Sequence, residues 1–289
     1  MRVRKVPASV LPGIAGEAWV DTDRRAYVRD GIARVPVRDG YPADEDLPER
    51  RGYNGRGYHL IGDVAVVHGD EPSKEEIGAI VAHRHPRGVV WVKGYTGAMR
   101  IPEAEVVYGS AGEVWHREQG CTFILDPTRV MFAKGNRVEK ARIAGLVRPG
   151  ERVADMFAGI GYFAIPTARN GASVRAMEIN PVAFEYLRRS IVANDLADRV
   201  TPMMGDCRDL LSGVYDRLLM GHFDAPSFLP DALDHVRVGS VLHVHSIGDA
   251  TTTIQERVKE AGLTATITCR RVKKYGPHAW HVVQDVMIT

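Results

Sequence analysis

An α/β fold is predicted for this chain, with a small α+β domain ahead of a mostly parallel sheet. Three observations lead there. From Arg152 onward strand-like apolar runs alternate with helical segments, a glycine turn follows the first of those runs, and two extended runs rather than a helix follow the last helix. Strand signals fall at 152–156, 174–178, 200–204, 216–220 and 239–245, with helices expected at roughly 162–170, 181–195, 227–236 and 250–261. Asn180-Pro181 supplies an N-cap and a proline at the first helical position, and Gly262 stops the last helix. Thr264–Arg271 and Trp280–Ile288 then alternate as an antiparallel hairpin around the loop Lys273 to His278.

Ahead of this unit the texture is different. Residues 1–56 read as a loop-rich segment, with turn signals at Asp39-Gly40, Tyr41-Pro42 and Arg51-Gly52, and the polar stretch Tyr41 to Arg56 is expected to be mobile. Residues 57–127 read as a compact α+β domain with strands at 61–67, 88–92, 105–108, 113–116 and 121–125 and a helix from Lys74 to His83. Met131 to Leu146 reads as a helical connector that opens the catalytic domain, 128–289.

Composition sets outer bounds. A chain of 289 residues, 45% hydrophobic and 26% charged, is an ordinary globular protein. No window approaches the ~18 apolar residues of a membrane span, so no membrane partner is expected. Cys121, Cys207 and Cys269 are odd in number and far apart, which fits neither a disulfide framework nor a CxxC metal site and suits a reducing cytoplasm. The net charge of +2 hides two basic clusters. Thr128 to Arg152 holds seven basic residues against Glu139 and Glu151, and Arg270, Arg271, Lys273 and Lys274 sit together. Each cluster reads either as a track for a phosphate backbone or as a solvated charged face.

The glycine turn carries the chemistry. Asp155-Met156-Phe157-Ala158-Gly159-Ile160-Gly161 follows the first strand, and Glu178 ends the second, 17 residues after Gly161. Glycines let the backbone approach a ligand closely, and a carboxylate at the next strand end accepts from both hydroxyls of a ribose. An adenosine-containing cofactor is the expectation. Gly159-Ile160-Gly161-Tyr162-Phe163-Ala164 also satisfies a dinucleotide fingerprint, which leaves a nicotinamide-dependent oxidoreductase as a rival. The terminal hairpin favours a Rossmann-like class I S-adenosylmethionine-dependent transferase. In that fold Phe157, Gly159 and Gly161 surround the methionine and ribose, Glu178 takes the diol, and Asp206-Cys207 bracket the adenine. Taken singly, Asp155, Glu178 and Asp206 are open to structural readings as a cap, a strand end and a loop acid. Three acids on one rim of one sheet argue for a ligand.

After the fourth strand stands Met220-Gly221-His222-Phe223-Asp224-Ala225-Pro226, where enzymes that methylate exocyclic amines place an Asn-x-Pro turn. Gly221 replaces the amide. This turn, with His116-Arg117-Glu118-Gln119-Gly120-Cys121, Asp126, Met131 to Asn136, Asp155 to Gly161 and Lys274 to Val283, resembles the family of enzymes that modify position 37 of tRNA. The resemblance runs from about Tyr58 onward. That family holds a guanine-N1 methyltransferase, which has Asn-Leu-Pro after the fourth strand, and the wybutosine-pathway aminocarboxypropyltransferase, which has Gly followed by an aromatic or histidine-like residue. Met220-Gly221-His222 is similar to the second. The chain departs from the family at Ala133, where serine is common, and at Lys140, where arginine is usual.

The resemblance implies transfer of the 3-amino-3-carboxypropyl group from S-adenosyl-L-methionine to carbon 7 of 4-demethylwyosine at position 37 of tRNA(Phe), bound by its anticodon stem-loop. The alternative is tRNA guanine-37 N1-methylation, and a third reading is an RNA-binding protein without catalysis. It also implies that Lys140, with the Ala133 backbone nearby, holds the tail carboxylate. His222 is read either as a general base or as a packing residue, and Tyr162 and Phe223 either as stacking partners of the base or as core. The pairs His83-x-His85 and His243-x-His245 lack further ligands at suitable spacing, so no metal is expected.

Overall fold

The structure, a computed structural model, describes residues 1–47, 53–276 and 278–289. It divides into two compact units, Met1–Asn54 and Gly55–Thr289. The turn signal at Arg51-Gly52, part of the stretch Tyr41 to Arg56, and Pro277 lie outside the described residues.

The first unit corrects the expectation of a loop-rich segment. It holds a four-stranded sheet in the order β2-β3-β1-β4, with β1 at Arg2–Pro7, β2 at Tyr27–Arg29, β3 at Ile32–Pro36 and β4 at Glu45–Asp46, and a short helix α1 at Leu11–Ile14. Val3, Ala33 and Val35 form its small core, while the charged residues that made the segment read as loop lie on its outer face, with Lys5 and Arg34 each 3.1 Å from Glu45. Asp30 and Gly31, both at positive φ, make the tight turn joining β2 to β3.

The second unit opens with a sheet in the order β5-β6-β7-β8, built from β5 (His59–Ile61), β6 (Val64–His68), β7 (Gly88–Thr96) and β8 (Ile101–Gly109). Helix α2 (Lys74–Arg84), closed by a Ser73–Glu76 capping box, joins the parallel pair β6 and β7. The single strand expected over 61–67 is instead two strands, because Gly62 at φ 57° turns the chain back on itself. The hairpin of β9 (Val114–Glu118) and β10 (Cys121–Leu125) follows.

The larger sheet runs β13-β12-β11-β14-β15-β17-β16. Its strands are β11 (Arg152–Asp155), β12 (Ser173–Glu178), β13 (Val200–Met204), β14 (Arg217–Met220), β15 (Val241–Ile247), β16 (Ala265–Lys274) and β17 (Trp280–Ile288). The first five are parallel, and β17 inserts antiparallel between β15 and β16. Helices α3 (Arg137–Leu146), α4 (Ala164–Arg169) and α5 (Pro181–Ala193) pack with Val153 and Val174 on one face. On the other, α6 (Cys207–Leu210), α7 (Leu229–Leu233) and α8 (Thr251–Glu260) pack with Ala154 and Leu218. Successive residues of β11 thus feed opposite cores, as a doubly wound sheet requires. The helix expected over 227–236 is shortened to a 3-10 turn, Ala225–Phe228, and α7, each entered through a proline. The connector is helical only from Lys134 onward.

The β9–β10 hairpin docks on α5, where Ser190 Oγ accepts from the Ile124 N–H at 3.0 Å and Asn194 Oδ1 from the Thr122 N–H at 2.9 Å. One hydrophobic core therefore runs from Ile61 through Phe123 into Val174 and Leu187. Among the described residues no helix is long and apolar enough to cross a membrane.

The His-x-His pair of β15 is engaged inside the sheet. His243 Nδ1 donates to Asp285 at 2.6 Å while its Nε2 accepts from Arg217 at 2.7 Å, and His245 Nδ1 lies 2.9 Å from His281 Nε2. Burial pushes His281 down to about 4 and lowers His243 and His245. In the unfolded chain imidazoles protonate near ~6.5, so between there and about 4 the unfolded state binds a proton that native His281 refuses, and stability falls with pH. Asp155, raised to about 7 by burial, acts in the opposite sense. Comparing urea unfolding of wild type and His281→Asn isolates the histidine. Between pH 6.5 and 5 the wild type should lose about 1.5 kcal/mol relative to the variant, and parallel pH profiles would contradict the assignment.

Candidate active site

The carboxyl ends of β11, β12, β13 and β14 open into a cavity of about 620 Å³ at the point where strand order reverses. The glycine turn forms its floor. Gly159 has φ 57°, and a Cβ there would stand 2.3 Å from the Tyr162 ring. Gly161 is also left-handed at φ 99°, but it does not line the cavity, since Ile165 and Leu187 occupy the space a Cβ would need. It packs behind the turn.

Glu178 lies at the centre of the rim. Its Oε2 accepts from the Gly159 N–H and its Oε1 from the Asn180 N–H, each at 2.7 Å. Each oxygen keeps a lone pair for a hydroxyl, so the carboxylate that shapes the turn is also able to hold a ribose diol. Burial raises its pKa, with the backbone donors opposing the shift. Asn180 caps α5 and donates its side-chain N–H to the Met99 carbonyl at 3.2 Å, which fastens the β7–β8 hairpin tip over the cavity.

Asp206 caps α6, accepting from the Arg208 N–H at 3.0 Å, and with Cys207 it lines the far end. Burial pushes the Cys207 thiol up to about 12, so this residue offers its backbone rather than a thiolate. Phe157 packs edge-on against Phe228 and at a tilt of 31° against His222, the ring centroids 5.1 and 5.4 Å apart.

His222 Nδ1 accepts from the Asp224 N–H at 3.2 Å. The neutral ring therefore carries its proton on Nε2, which is buried without a partner among the described residues. Burial lowers its pKa, although Asp224 opposes this. His222 thus presents a hydrogen-bond donor to the cavity, where the sequence suggested a proton acceptor or a packing residue. Gly221 is equally informative. A Cβ there would stand 3.0 Å from the Phe163 ring, a tight contact that a side chain could make only if the ring gave way by a few tenths of an ångström.

The connector builds the remaining wall. Tyr162 spans from the glycine turn to the connector, donating its hydroxyl to the Met131 carbonyl and packing 5.7 Å from Phe132. Ala133 and Lys140 line the cavity. Lys140, however, is 1% exposed and its ammonium is 2.5 Å from Glu118, with the Phe132 ring 4.9 Å away, so its charge is already answered.

Tyr95, Arg100 and Lys273 also line this cavity, a role that no motif announces. Arg100 rests over the rings of Tyr95 and Phe223, 5.6 and 5.8 Å from their centroids. Two members of the basic clusters are paired with acids, Arg142 with Glu139 and Asp285, and Arg270 with Asp285.

Comparison with known proteins decides the lineage. The profile of the TRM5/TYW2 methyltransferase domain matches residues 114–270. The chain belongs to the TRM5/TYW2 family. A TRM5/TYW2 relative from Methanocaldococcus jannaschii, the tRNA(Phe) (4-demethylwyosine(37)-C(7)) aminocarboxypropyltransferase, is 35% identical over 247 residues, covering 79% of this chain and 96% of that one. The tRNA (guanine(37)-N(1))-methyltransferase Trm5b of Pyrococcus abyssi is 30% identical over 257 residues, covering 83% and 77%. Among solved TRM5/TYW2 structures, P. horikoshii TYW2 in complex with MeSAdo superposes with a TM-score of 0.70 at 28% identity, over 82% of this chain and 92% of that one.

Proposed function

We propose that this chain transfers the 3-amino-3-carboxypropyl group of S-adenosyl-L-methionine to carbon 7 of 4-demethylwyosine at position 37 of tRNA(Phe), releasing methylthioadenosine. The cofactor is S-adenosylmethionine and the macromolecular substrate is tRNA. The observation that carries the choice between the two activities of the family is the Gly221 turn. Gly221 brings no amide to hold an exocyclic or ring N–H for methylation, and a Cβ in its place would press on the Phe163 ring at 3.0 Å. The MeSAdo, or methylthioadenosine, bound in the P. horikoshii relative is what remains of the donor once the aminocarboxypropyl group has left.

In this reading Glu178 holds the ribose diol, Asp206 and the Cys207 backbone bracket the adenine, and Phe157 and Gly159 flank the sulfur. Ala133 and Lys140 lie beside the tail. Carbon 7 attacks the donor's γ-carbon in line with its bond to sulfur. The new carbon–carbon bond forms as the carbon–sulfur bond breaks, its electron pair goes to sulfur, and the ring proton then leaves to water. Such displacement is mainly a matter of alignment within ~3–3.5 Å. His222 Nε2–H and the Phe157 ring orient the acceptor base. Exposed Arg137, Arg271 and Lys274 contact phosphates of the anticodon stem-loop, with affinity that declines in salt.

Donor labelled separately in its methyl and carboxyl carbons tests the reaction on tRNA carrying the tricyclic precursor. The carboxyl label should enter tRNA while the methyl label leaves with methylthioadenosine. Methyl label in the tRNA would establish the methyltransferase instead.

A further inference from the structure

The tail of S-adenosylmethionine ends in an α-carboxylate that needs a cation, and the cation expected from the sequence already has a carboxylate partner. Lys140 is paired with Glu118 at 2.5 Å, and Ala133 offers no hydroxyl. Arg208, at the adenine end, is paired with Asp206. Two cations of the lining remain without a carboxylate among the described residues, Arg100 and Lys273. Arg100 faces the His222–Phe223 turn, where the acceptor enters. Lys273 lies on the connector side, directly over Gly135, its Nζ 2.6 Å from where a Cβ of that glycine would stand. Ala133, Gly135, Asn136 and Lys140 are its neighbours in the lining.

The backbone explains why Lys273 turns inward from a strand whose neighbours Arg270, Arg271 and Lys274 are exposed. Between Arg271 and Lys273 the register of β16 on β17 shifts, and a bulge of this kind re-aims the side chain after it. The half-buried ammonium is disfavoured by its loss of water and by nearby Lys140, both of which lower its pKa. An anion placed between the two lysines would relieve both effects.

We propose that Lys273 is the cation that clamps the tail carboxylate of S-adenosylmethionine, a proposal that rests on the donor assigned above. Lys140, paired with Glu118, forms the wall against which the tail lies. Pinning the carboxylate at the connector turns the γ-carbon rather than the methyl group toward His222.

Calorimetric titration of wild type, Lys273→Met and Lys273→Arg with three probes tests this. The probes are S-adenosylmethionine, its decarboxylated analogue and methylthioadenosine. Lys273→Met should bind S-adenosylmethionine roughly 10- to 100-fold more weakly, the loss of one charge-assisted contact. Methylthioadenosine, which has no tail, should bind unchanged and so reports an intact pocket. The decarboxylated analogue should not distinguish wild type from Lys273→Met, and Lys273→Arg should recover most of the loss. Undiminished S-adenosylmethionine affinity in Lys273→Met overturns the clamp, as does an equal fall for methylthioadenosine. Wild type that binds none of the three probes removes the donor assignment and the clamp with it.

Discussion

Glu178→Ala should reduce S-adenosylmethionine affinity by about 100-fold or more while leaving tRNA affinity nearly unchanged. Two hydroxyl hydrogen bonds to a carboxylate are lost, each worth about 1.5–3 kcal/mol. The Gly159 N–H that the carboxylate also fixes is released, so the turn loses its shape as well. Glu178→Gln separates these contributions, because the amide keeps one acceptor oxygen but not the charge. Titration with methylthioadenosine and filter binding with tRNA provide the two readouts. Equal loss of both ligands in Glu178→Ala would make the residue a structural support only.

The second large effect is on stability. Glu118→Ala strands the Lys140 ammonium, and Lys140→Ala strands the Glu118 carboxylate, in an interior where both residues are less than a tenth exposed. Removing one member of such a pair costs about 3–5 kcal/mol, whereas replacing both with apolar side chains of similar size costs far less. Urea denaturation of the two single variants and of the double variant Glu118→Leu with Lys140→Met should show that ordering. If the single variants unfold like wild type, the pair is solvated in solution. For transfer, Lys140→Ala should lower turnover through displacement of the connector wall, and unchanged turnover would remove Lys140 from the site.

The parts of this site that could be read from the chain are those fixed by neighbours in sequence. The glycine turn, the carboxylate at the end of β12 and the Asn180-Pro181 cap are local devices, and periodicity places the strands that carry them. The inward turn of Lys273 depends on a register shift against β17, which no pattern within β16 announces. Arg100 reaches the cavity only because the β7–β8 hairpin tip bonds to Asn180, 81 residues further along the chain. The tautomer of His222 follows from a backbone donor two residues away, a matter of three-dimensional geometry rather than residue type. In the first unit the Asp30-Gly31 turn was a legible hairpin signal, masked by the charged residues around it.

The bond from Arg142 to Asp285 joins the connector helix to strand β17 across 143 residues of sequence. The connector already has earlier anchors in Glu118, Tyr162 and Asn170, and the Asp285 pair adds a last one that only a chain grown through β17 can supply.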